Sequence, residues 1–360
     1  MRKTGFGRLA LGFYAGAALL VGCSGSQIEA RGLASPNGVK TELTPLSPRL
    51  LNATMARNVV GPTHTDHRKS WMSSDARNIK KLLYISDLST NDVYVYNDQT
   101  GKAVGTLTGF NEPYGQCVDK KGNVWITNFG EASVVEYAHG RAEPIKTLST
   151  DGSSDGCSID PTTGNLAVSS WSPGEILVFK HASGTPSIYT SQICSNMMPP
   201  GYDDDGNLYV QADNSGPYVC ELPHGSGSIR GPIALIGFSI NFQGSVMWDG
   251  KYITLSDQEY NGYETGIYQV TEDASGNLTK VGQTALSDDC NGDEADVFQP
   301  FIVGTKNTPS NKTQGKMVVG GNLSCTNRFD NWTYPVSGNP RSSLKDAPTE
   351  PYGQSVSIAE

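Results

Sequence analysis

The chain has 360 residues, of which 41 are glycine, 20 are proline and 18% are charged. Its formal net charge is −9 and its isoelectric point is near 5.1. These values argue against nucleic acid and anionic lipid as partners, because phosphate binding needs a basic face that this chain lacks. Many turn residues and few charges are typical of an exported all-β protein.

The N-terminal residues have the pattern of an export signal. A basic start precedes an apolar stretch over residues 9–21, which is too short to span a bilayer. Leu20-Val21-Gly22-Cys23 then resembles the bacterial lipobox, in which a small residue allows cleavage and the cysteine is lipidated. We predict a signal peptide over residues 1–22 and a lipid on Cys23. The alternative is an ordinary secretory signal with an incidental cysteine.

The residue after the lipidated cysteine indicates the destination. Ser24 is not the aspartate that resembles an inner-membrane retention signal. We therefore expect the protein in the bacterial cell envelope, anchored in the outer membrane and facing the periplasm or the cell surface. Residues 23–79 are rich in Ser, Pro, Asn and Thr and show no period, so they predict a flexible tether ahead of a domain over residues 80–360. Within the tether, Trp71-Met72 is expected to pack on that domain.

An acidic turn followed by a short strand recurs along the domain. Asn123, Asn165 and Asn207 close three copies of it, each 42 residues after the last, and Asp249 begins a fourth. This is the period of a four-stranded propeller blade. The fold class is therefore all-β, a six-bladed β-propeller of four-stranded antiparallel blades. The six inner strands are predicted near Tyr114, Cys157, Gly201, Gly244, Phe301 and Tyr352.

The two ends of the domain predict how the ring closes. Glu350-Pro-Tyr-Gly-Gln-Ser-Val356 repeats Glu112-Pro-Tyr-Gly-Gln-Cys-Val118 almost letter for letter. The strand over residues 352–357 should therefore pair with the one over 82–86, removing the exposed edges. An insertion over residues 286–315 makes the fifth blade irregular. The alternative is a seven-bladed ring in which this insertion hides a degenerate blade.

Six cysteines remain after lipidation of Cys23, and an even number in an exported chain predicts disulfides. Six cysteines allow 15 pairings. Sequence order favours pairs within one blade or between adjacent blades. The pairs predicted in this way are Cys117 with Cys157, Cys194 with Cys220, and Cys290 with Cys325.

The segment from Pro113 to Thr127 is similar to the NHL-type repeat, shared in outline by TolB-like propellers, streptogramin lyases and the gluconolactonase family. The segment from Ser154 to Leu166 is similar to the lactonase element whose aspartate helps hold a channel calcium. This resemblance implies a metal set of Glu112, Asp155 and Asn241. The chain departs from the lactonases because Pro113 follows Glu112 directly and no second asparagine matches. It departs from the lyases because no histidine lies on the predicted ligand-binding side.

In such propellers, the loops that join one blade to the next and those between the second and third strands share one side, here called the upper face. These loops carry aromatic rings among amides and carboxylates, a combination that suits neutral polar ligands such as sugars or peptides. For any single ring, loop packing is the alternative. The predicted ligand-binding residues are Phe129, Trp171, Asp213, Asp257, Tyr260 and Phe329.

Two acidic clusters resemble calcium loops. Asp203-Asp-Asp-Gly occupies the repeat's turn position, where Asp and Gly serve backbone geometry, so we interpret it as a turn. The segment from Asp288 to Asp296 lies on the upper face, and its oxygen ligands match those that calcium prefers, although no spacing there matches an EF-hand.

The sequence thus predicts a lipid-anchored extracytoplasmic propeller that binds a small polar ligand or another protein. No catalytic residue is assigned and no cofactor is required, with calcium as the candidate ion. The alternative function is a calcium-dependent hydrolase of the lactonase type that uses the central channel.

Overall fold

The structure is a computed structural model that describes residues 69–359 except 263, 291–294, 305–315, 326–327 and 346. The predicted signal peptide, Cys23 and most of the predicted tether lie outside these residues. Within the described part, no helix has the length and apolar character needed to span a membrane.

Strands make up nearly all of the regular structure. In chain order they are β1 (Trp71–Met72), β2 (Lys81–Asp87), β3 (Asp92–Asn97), β4 (Ala103–Leu107), β5 (Pro113–Val118), β6 (Val124–Asn128), β7 (Ser133–Tyr137), β8 (Pro144–Ser149), β9 (Ser154–Ile159), β10 (Leu166–Ser170), β11 (Glu175–Phe179), β12 (Ser187–Thr190), β13 (Gly201–Tyr202), β14 (Leu208–Asp213), β15 (Pro217–Leu222), β16 (Leu235–Ile236), β17 (Gln243–Trp248), β18 (Ile253–Tyr260), β19 (Glu264–Glu272), β20 (Leu278–Leu286), β21 (Phe301–Val303), β22 (Lys316–Gly321), β23 (Arg328–Tyr334), β24 (Ser342–Lys345) and β25 (Pro351–Ile358). Three 3-10 turns, at Ala76–Asn78, Phe129–Glu131 and Lys180–Ala182, complete the described elements.

The strands form six sheets, which confirms the six-bladed propeller. From the inner to the outer strand, blade 1 is β25-β2-β3-β4-β1, blade 2 is β5 to β8 and blade 3 is β9 to β12. Blade 4 is β13 to β15, blade 5 is β17 to β20 with β16 outside, and blade 6 is β21 to β24. All six predicted inner-strand positions lie in or directly beside the inner strands.

The C-terminal strand closes the ring as predicted. β25 pairs antiparallel with β2, and the register sets Leu82 opposite Ser357 and Tyr84 opposite Ser355. Val356 of this strand is fully buried in the core between blades 1 and 6. The last strand of the chain therefore supplies the first blade with its inner strand, so neither end of the ring is left as an open edge.

Three blades depart from a uniform four strands. β1 pairs with β4 at the outer edge of blade 1, so this blade begins nine residues before the predicted boundary at residue 80. In blade 4 the outer strand is replaced by a bridge between Glu221 and Arg230, and β16 pairs in parallel with β20 of blade 5. Blade 5 is irregular because β18, β19 and β20 are eight or nine residues long. The described residues contain no seventh blade.

The acidic turns are held by their own aspartates. Asp203 Oδ1 accepts the N–H groups of Asp205 at 2.9 Å and Asn207 at 2.8 Å, and Asp119 does the same for Lys121 and Asn123. Asn207 Nδ2 also donates to Asp203 Oδ2 at 2.9 Å. These contacts satisfy the turn backbone. They confirm the interpretation of the Asp203 cluster as a turn.

Three disulfides match the predicted pairs, Cys117–Cys157, Cys194–Cys220 and Cys290–Cys325. The first joins the inner strands of blades 2 and 3, and the second ties the loop between blades 3 and 4 to β15 of blade 4. The third ties a loop after blade 5 to the loop between β22 and β23.

Because six apolar clusters lie between successive blades, the core is divided among the blade interfaces.

Candidate binding face

The upper end of the central channel is covered by aromatic and apolar side chains. Four of them are buried and form what we call the mouth cluster: Tyr114, Met198, Phe298 and Tyr352. Around it pack three half-buried side chains, Leu88, Phe129 and Trp171. The site is therefore a largely apolar surface with exposed margins.

The rings of the mouth cluster contact one another in sequence. The ring centroids of Phe298 and Tyr352 are 3.6 Å apart, and those of Tyr352 and Tyr114 are 4.2 Å apart. Phe129 then stacks on Tyr114 at 4.3 Å with an interplanar angle of 20°. Aromatic pairs at such distances contribute about 0.5–1.5 kcal/mol each beyond area burial. The cluster is thus a packed layer.

Local sequence explains how the two tyrosines meet. Each is followed by a glycine, and a Cβ atom built on Gly353 would lie 2.1 Å from the carbonyl oxygen of Tyr114. Only glycine allows the inner strands of blades 1 and 2 to approach this closely. The repeated Pro-Tyr-Gly segment therefore places both rings at the channel mouth.

Below this layer an amide side chain crosses between blades. Gln299 precedes β21 of blade 6, yet its Oε1 accepts the N–H of Gln116 in blade 2 at 3.3 Å. Its Nε2 donates to the carbonyl oxygen of Gln116 at 3.4 Å, and Gln354 Nε2 donates to the carbonyl oxygen of Gln299. All three glutamines are buried. The channel is therefore filled at this level by hydrogen-bonded amides.

The predicted ligand-binding residues go to different places. Phe129 and Trp171 pack at the mouth, as described above. Asp213 is half-buried on the same face, where its carboxylate accepts from Gly216 N at 3.2 Å and from Gln243 Nε2 at 3.4 Å. These three residues lie on the upper face with part of their surface exposed.

The other three predicted residues serve local packing. Tyr260 packs edge-on against Tyr268 with ring centroids 5.8 Å apart, and its hydroxyl accepts a 2.6 Å hydrogen bond from Gln283 Nε2 in the outer strand of blade 5, so it does not join the mouth. Asp257 is fully buried and accepts three backbone N–H groups of the neighbouring loop. Phe329 is also fully buried, in the core between blades 1 and 6, and offers no exposed surface to a ligand.

The predicted metal residues lie at three inner-strand entrances. Glu112 is half-buried, and its N–H donates to Asn91 Oδ1 at 2.8 Å. Asp155 is buried in blade 3. Asn241 is exposed in blade 5, where its Nδ2 donates to the carbonyl oxygen of Glu259 at 3.1 Å. With Asn241 turned to a local partner and Gln299 across the channel, the described contacts do not support the lactonase alternative.

Most of the described acids in and around the 288–296 segment have partners. Arg328 pairs with Asp289 at 2.5 Å and with Asp330 at 2.7 Å. Asn322 Nδ2 donates to Asp330 at 3.0 Å and to Asp288 at 3.3 Å. Within the described residues, one group of three His, Cys, Asp or Glu side chains is close enough together to share an ion. It consists of Asp288, Cys290 and Cys325, and the two cysteines are joined in a disulfide. Asp293 and Glu294 lie outside the described residues.

Burial disfavours the ionised form of several carboxyl groups on the upper face. Burial raises the pKa of Glu112 and of Asp257, although backbone hydrogen bonds to Asp257 oppose the shift. Burial, followed by repulsion from neighbouring carboxylates, raises the pKa values of Glu175 and Glu259. The ion pairs of the described residues involve none of these four. Burial is thus the first cause of the raised pKa in all four groups.

The opposite, lower face carries a repeated ion-pair arrangement. In blade 4, Tyr209, Glu221 and Arg230 lie side by side across neighbouring strands, and in blade 2 the same row is Trp125, Glu136 and Lys146. Each row lines a cleft, of about 490 Å³ in the first case and about 400 Å³ in the second. Repetition in two blades indicates a structural role.

Sequence reasoning missed the mouth cluster. Tyr114 and Tyr352 had a usable signal, because both occupy the same place in the repeated Glu-Pro-Tyr-Gly-Gln segment. Phe298 and Met198 lie in loops between blades and carry no pattern that predicts their convergence.

Among the described histidines, the ring nitrogens of His181 and His224 contact carbonyl oxygens of the acidic turns at 3.0 and 2.6 Å, so they belong to the lower face.

No protein-family model matches the chain, and no curated protein matches it in sequence. Solved structures do match in fold. A nidogen/laminin complex has a chain with a TM-score of 0.56 at 14% identity, covering 78% of this chain and 99% of that one. Hydrazine synthase from Kuenenia stuttgartiensis gives 0.52 at 17%, covering 75% and 80%. A Bacteroides caccae protein of unknown function gives 0.54 at 11%, covering 77% and 99%.

These likenesses concern the fold alone, because sequence identity is low in every case. Together with the six blades and the closing C-terminal strand, they define the chain as a six-bladed β-propeller. The narrower NHL-type and gluconolactonase resemblance stays a prediction.

Proposed function

We propose that this protein is a lipid-anchored binding module of the bacterial cell envelope that uses the upper face of its propeller to hold another protein or a small polar ligand. The observation that carries the proposal is the aromatic layer at the channel mouth. Its centre is buried and closely packed, while Phe129 and Trp171 remain half-exposed at its margin.

The closed channel favours binding across the face. Gln299 and the mouth cluster fill the axis, so a partner would contact the rings from outside. Aromatic side chains with limited freedom are the usual anchors of protein interfaces, and a few of them supply most of the binding energy. The margin adds carboxylates and Asp213, which would accept hydrogen bonds from the partner. A propeller with a similar fold occurs in a structure named as a complex of nidogen and laminin, which is in keeping with such a role.

Site-specific photocrosslinking in cells tests this proposal. A photoreactive amino acid at Leu88 would report contacts at the mouth, and one at Lys120 would report contacts on the lower face. We expect a defined adduct from Leu88 alone, and Trp171→Ala should reduce it at least tenfold. Tyr260→Ala is the matched control, because its ring packs within blade 5, and it should leave the adduct unchanged. Equal adducts from both faces would contradict the proposal.

The anchor has its own test. Cys23→Ala removes the thiol that would carry the lipid, so we expect the variant to move from the membrane fraction to the soluble exported fraction. Membrane association that is unchanged in this variant would overturn the lipoprotein assignment while leaving the binding face untouched.

A further inference from the structure

A carboxylate at the top of the interface between blades 2 and 3 is buried without compensation. Glu175 is the first residue of β11, and only 4% of its surface is exposed. Its Oε1 has no hydrogen-bond partner, and the ion pairs of the described residues do not include it. A buried carboxylate in this state is costly unless a proton or a cation joins it.

Three hydroxyl groups lie in the same row as Glu175, and the outermost is the exposed Thr190 of β12, which pairs directly with Glu175. The register sets Ser170 opposite Glu175 on one side and opposite Ser154 on the other. Side chains that are paired across an antiparallel sheet point to the same face. Leu177 and Phe179 continue this face down β11 and pack in the core between blades 2 and 3. Ser170 and Glu175 therefore face blade 2 together. Ser154 lies beside Ser170 where the register shifts at a bulge, and both serines are fully buried.

The hydroxyl protons of Ser170, Ser154 and Thr150 are engaged elsewhere. Ser170 Oγ donates to the carbonyl oxygen of Ser172 at 2.9 Å. Thr150 Oγ1 and Ser154 Oγ share a 2.6 Å hydrogen bond, and either can also donate to the carbonyl oxygen of Gly152. Each hydroxyl thus keeps free lone pairs on its oxygen. These three hydroxyl groups can therefore offer acceptor oxygens at this place.

A second carboxylate increases the negative charge at this place. Asp151 is exposed in the loop that joins blades 2 and 3, and after burial its charge is the second cause that raises the pKa of Glu175. Two other buried carboxylates of this face are compensated. Asp257 accepts three backbone N–H groups, and Asp330 accepts from Arg328 and Asn322.

We propose that Glu175 and Asp151, with the hydroxyl oxygens of Ser154, Ser170 and Thr150, form a calcium site at the upper end of the interface between blades 2 and 3. Every donor in the set is a hard oxygen, which is the chemistry that Ca²⁺ selects. The site adjoins Trp171 at the margin of the mouth but uses no side chain of the mouth cluster, and it does not depend on the proposed binding function.

Calcium fits this set better than magnesium or zinc. The oxygens come from three strands and one loop, an irregular arrangement that the flexible coordination of Ca²⁺ accepts and the octahedral geometry of Mg²⁺ does not. No nitrogen or sulfur ligand belongs to the set, which disfavours zinc. With two carboxylates, we expect a dissociation constant on the order of 10⁻⁴–10⁻³ M, as in extracellular calcium modules. Bound calcium would join blade 2 to blade 3.

Thermal unfolding and calorimetry of the full-length protein in detergent test the site. After treatment with chelator at pH 8, 10 mM CaCl₂ should raise the unfolding midpoint by about 3–5 °C, and titration with CaCl₂ should fit one site. Glu175→Gln should abolish both responses. In chelator, the same variant should unfold at a higher temperature than the wild type, because it lacks the uncompensated charge.

Two further variants complete the experiment. Asp151→Asn should weaken calcium binding about tenfold while leaving the protein folded. Glu131→Gln is the matched control, because Glu131 is an exposed carboxylate of the same face in blade 2, and its calcium response should equal that of the wild type. The proposal is overturned if calcium leaves the wild type unchanged, or if Glu175→Gln keeps the response, which would place the ion elsewhere. A lower midpoint for Glu175→Gln in chelator would also contradict it.

Discussion

Protonation of Glu221 should control the stability of the interface between blades 4 and 5. The Glu221 side chain is 3% exposed and pairs with Arg230, which also contacts Glu272 of blade 5 at 2.6 Å. Tyr209 adds a 2.6 Å hydrogen bond to Glu272. Burial, followed by repulsion from Glu272, raises the pKa of Glu221 from 4.5 to about 7. One guanidinium thus serves two carboxylates.

The sign of the effect follows from the direction of this shift. Because the folded protein holds the proton more tightly than the unfolded chain, the stabilisation is complete below about pH 4.5 and is lost as the pH rises through about 7. At about 1.4 kcal/mol per pH unit, the loss is on the order of 3 kcal/mol. For a domain of this size, that corresponds to a fall of about 6 °C in the unfolding midpoint.

The assay is the unfolding midpoint between pH 4.5 and pH 8 for the wild type and for Glu221→Gln. The variant has no proton to lose at this position, so its midpoint should exceed that of the wild type by about 6 °C at pH 8 and should match it near pH 4.5. Glu272→Gln removes the second cause, so the upper end of the transition should move to lower pH. Parallel curves for the wild type and Glu221→Gln would refute the reasoning.

Three other outcomes are expected. Deletion of residues 351–360 opens two strand edges at the ring closure and should abolish the cooperative melting transition seen by circular dichroism; a truncated chain that melts like the full chain would argue against the closure. Replacing Cys117 and Cys157 by alanine opens a loop with a sequence separation of 40 residues, so urea unfolding should show a loss of about 4 kcal/mol, and an unchanged midpoint would speak against that bond. Phe329→Ala should lower the free energy of unfolding by about 3–5 kcal/mol in the same assay, because the ring is fully buried. Trp171→Ala should leave the free energy of unfolding nearly unchanged. A larger loss for Trp171→Ala than for Phe329→Ala would show that Trp171 is the core residue of the two.

Much of the ring could be predicted because its signals are local. The acidic turn places a strand after Asp119, Asp160 and Asp203, and the hydrogen bonds that hold these turns lie within a few residues of each aspartate. The repeated segment before Val118 and Val356 predicted the closing strand for the same reason, since equal sequences adopt equal positions in the blades. Blade 4 was less predictable. Its outer strand is replaced by a bridge at Arg230, which depends on the neighbouring blade.

The face was only partly predictable, because loop position alone does not decide where a ring packs. Phe129, Trp171 and Tyr260 occupy equivalent loops, yet only the first two reach the mouth cluster. β18 and β19 run longer than the corresponding strands of blades 2 and 3, and this carries Tyr260 against Tyr268. The length of a strand beyond the repeat is set by pairing with its neighbours, which a single sequence does not display.

By itself, the sequence predicted the inner strands and the ring closure, and it favoured six blades over seven and three disulfide pairs among the 15 pairings, because each of these follows from a period or an order along the chain. Only the tertiary structure decided that Gln299 crosses to blade 2, that Phe298 and Met198 meet at the mouth, and that Ser154, Ser170 and Glu175 share one row. These contacts join segments far apart in the chain. Their physical basis is the packing of one blade against another, which no local pattern encodes.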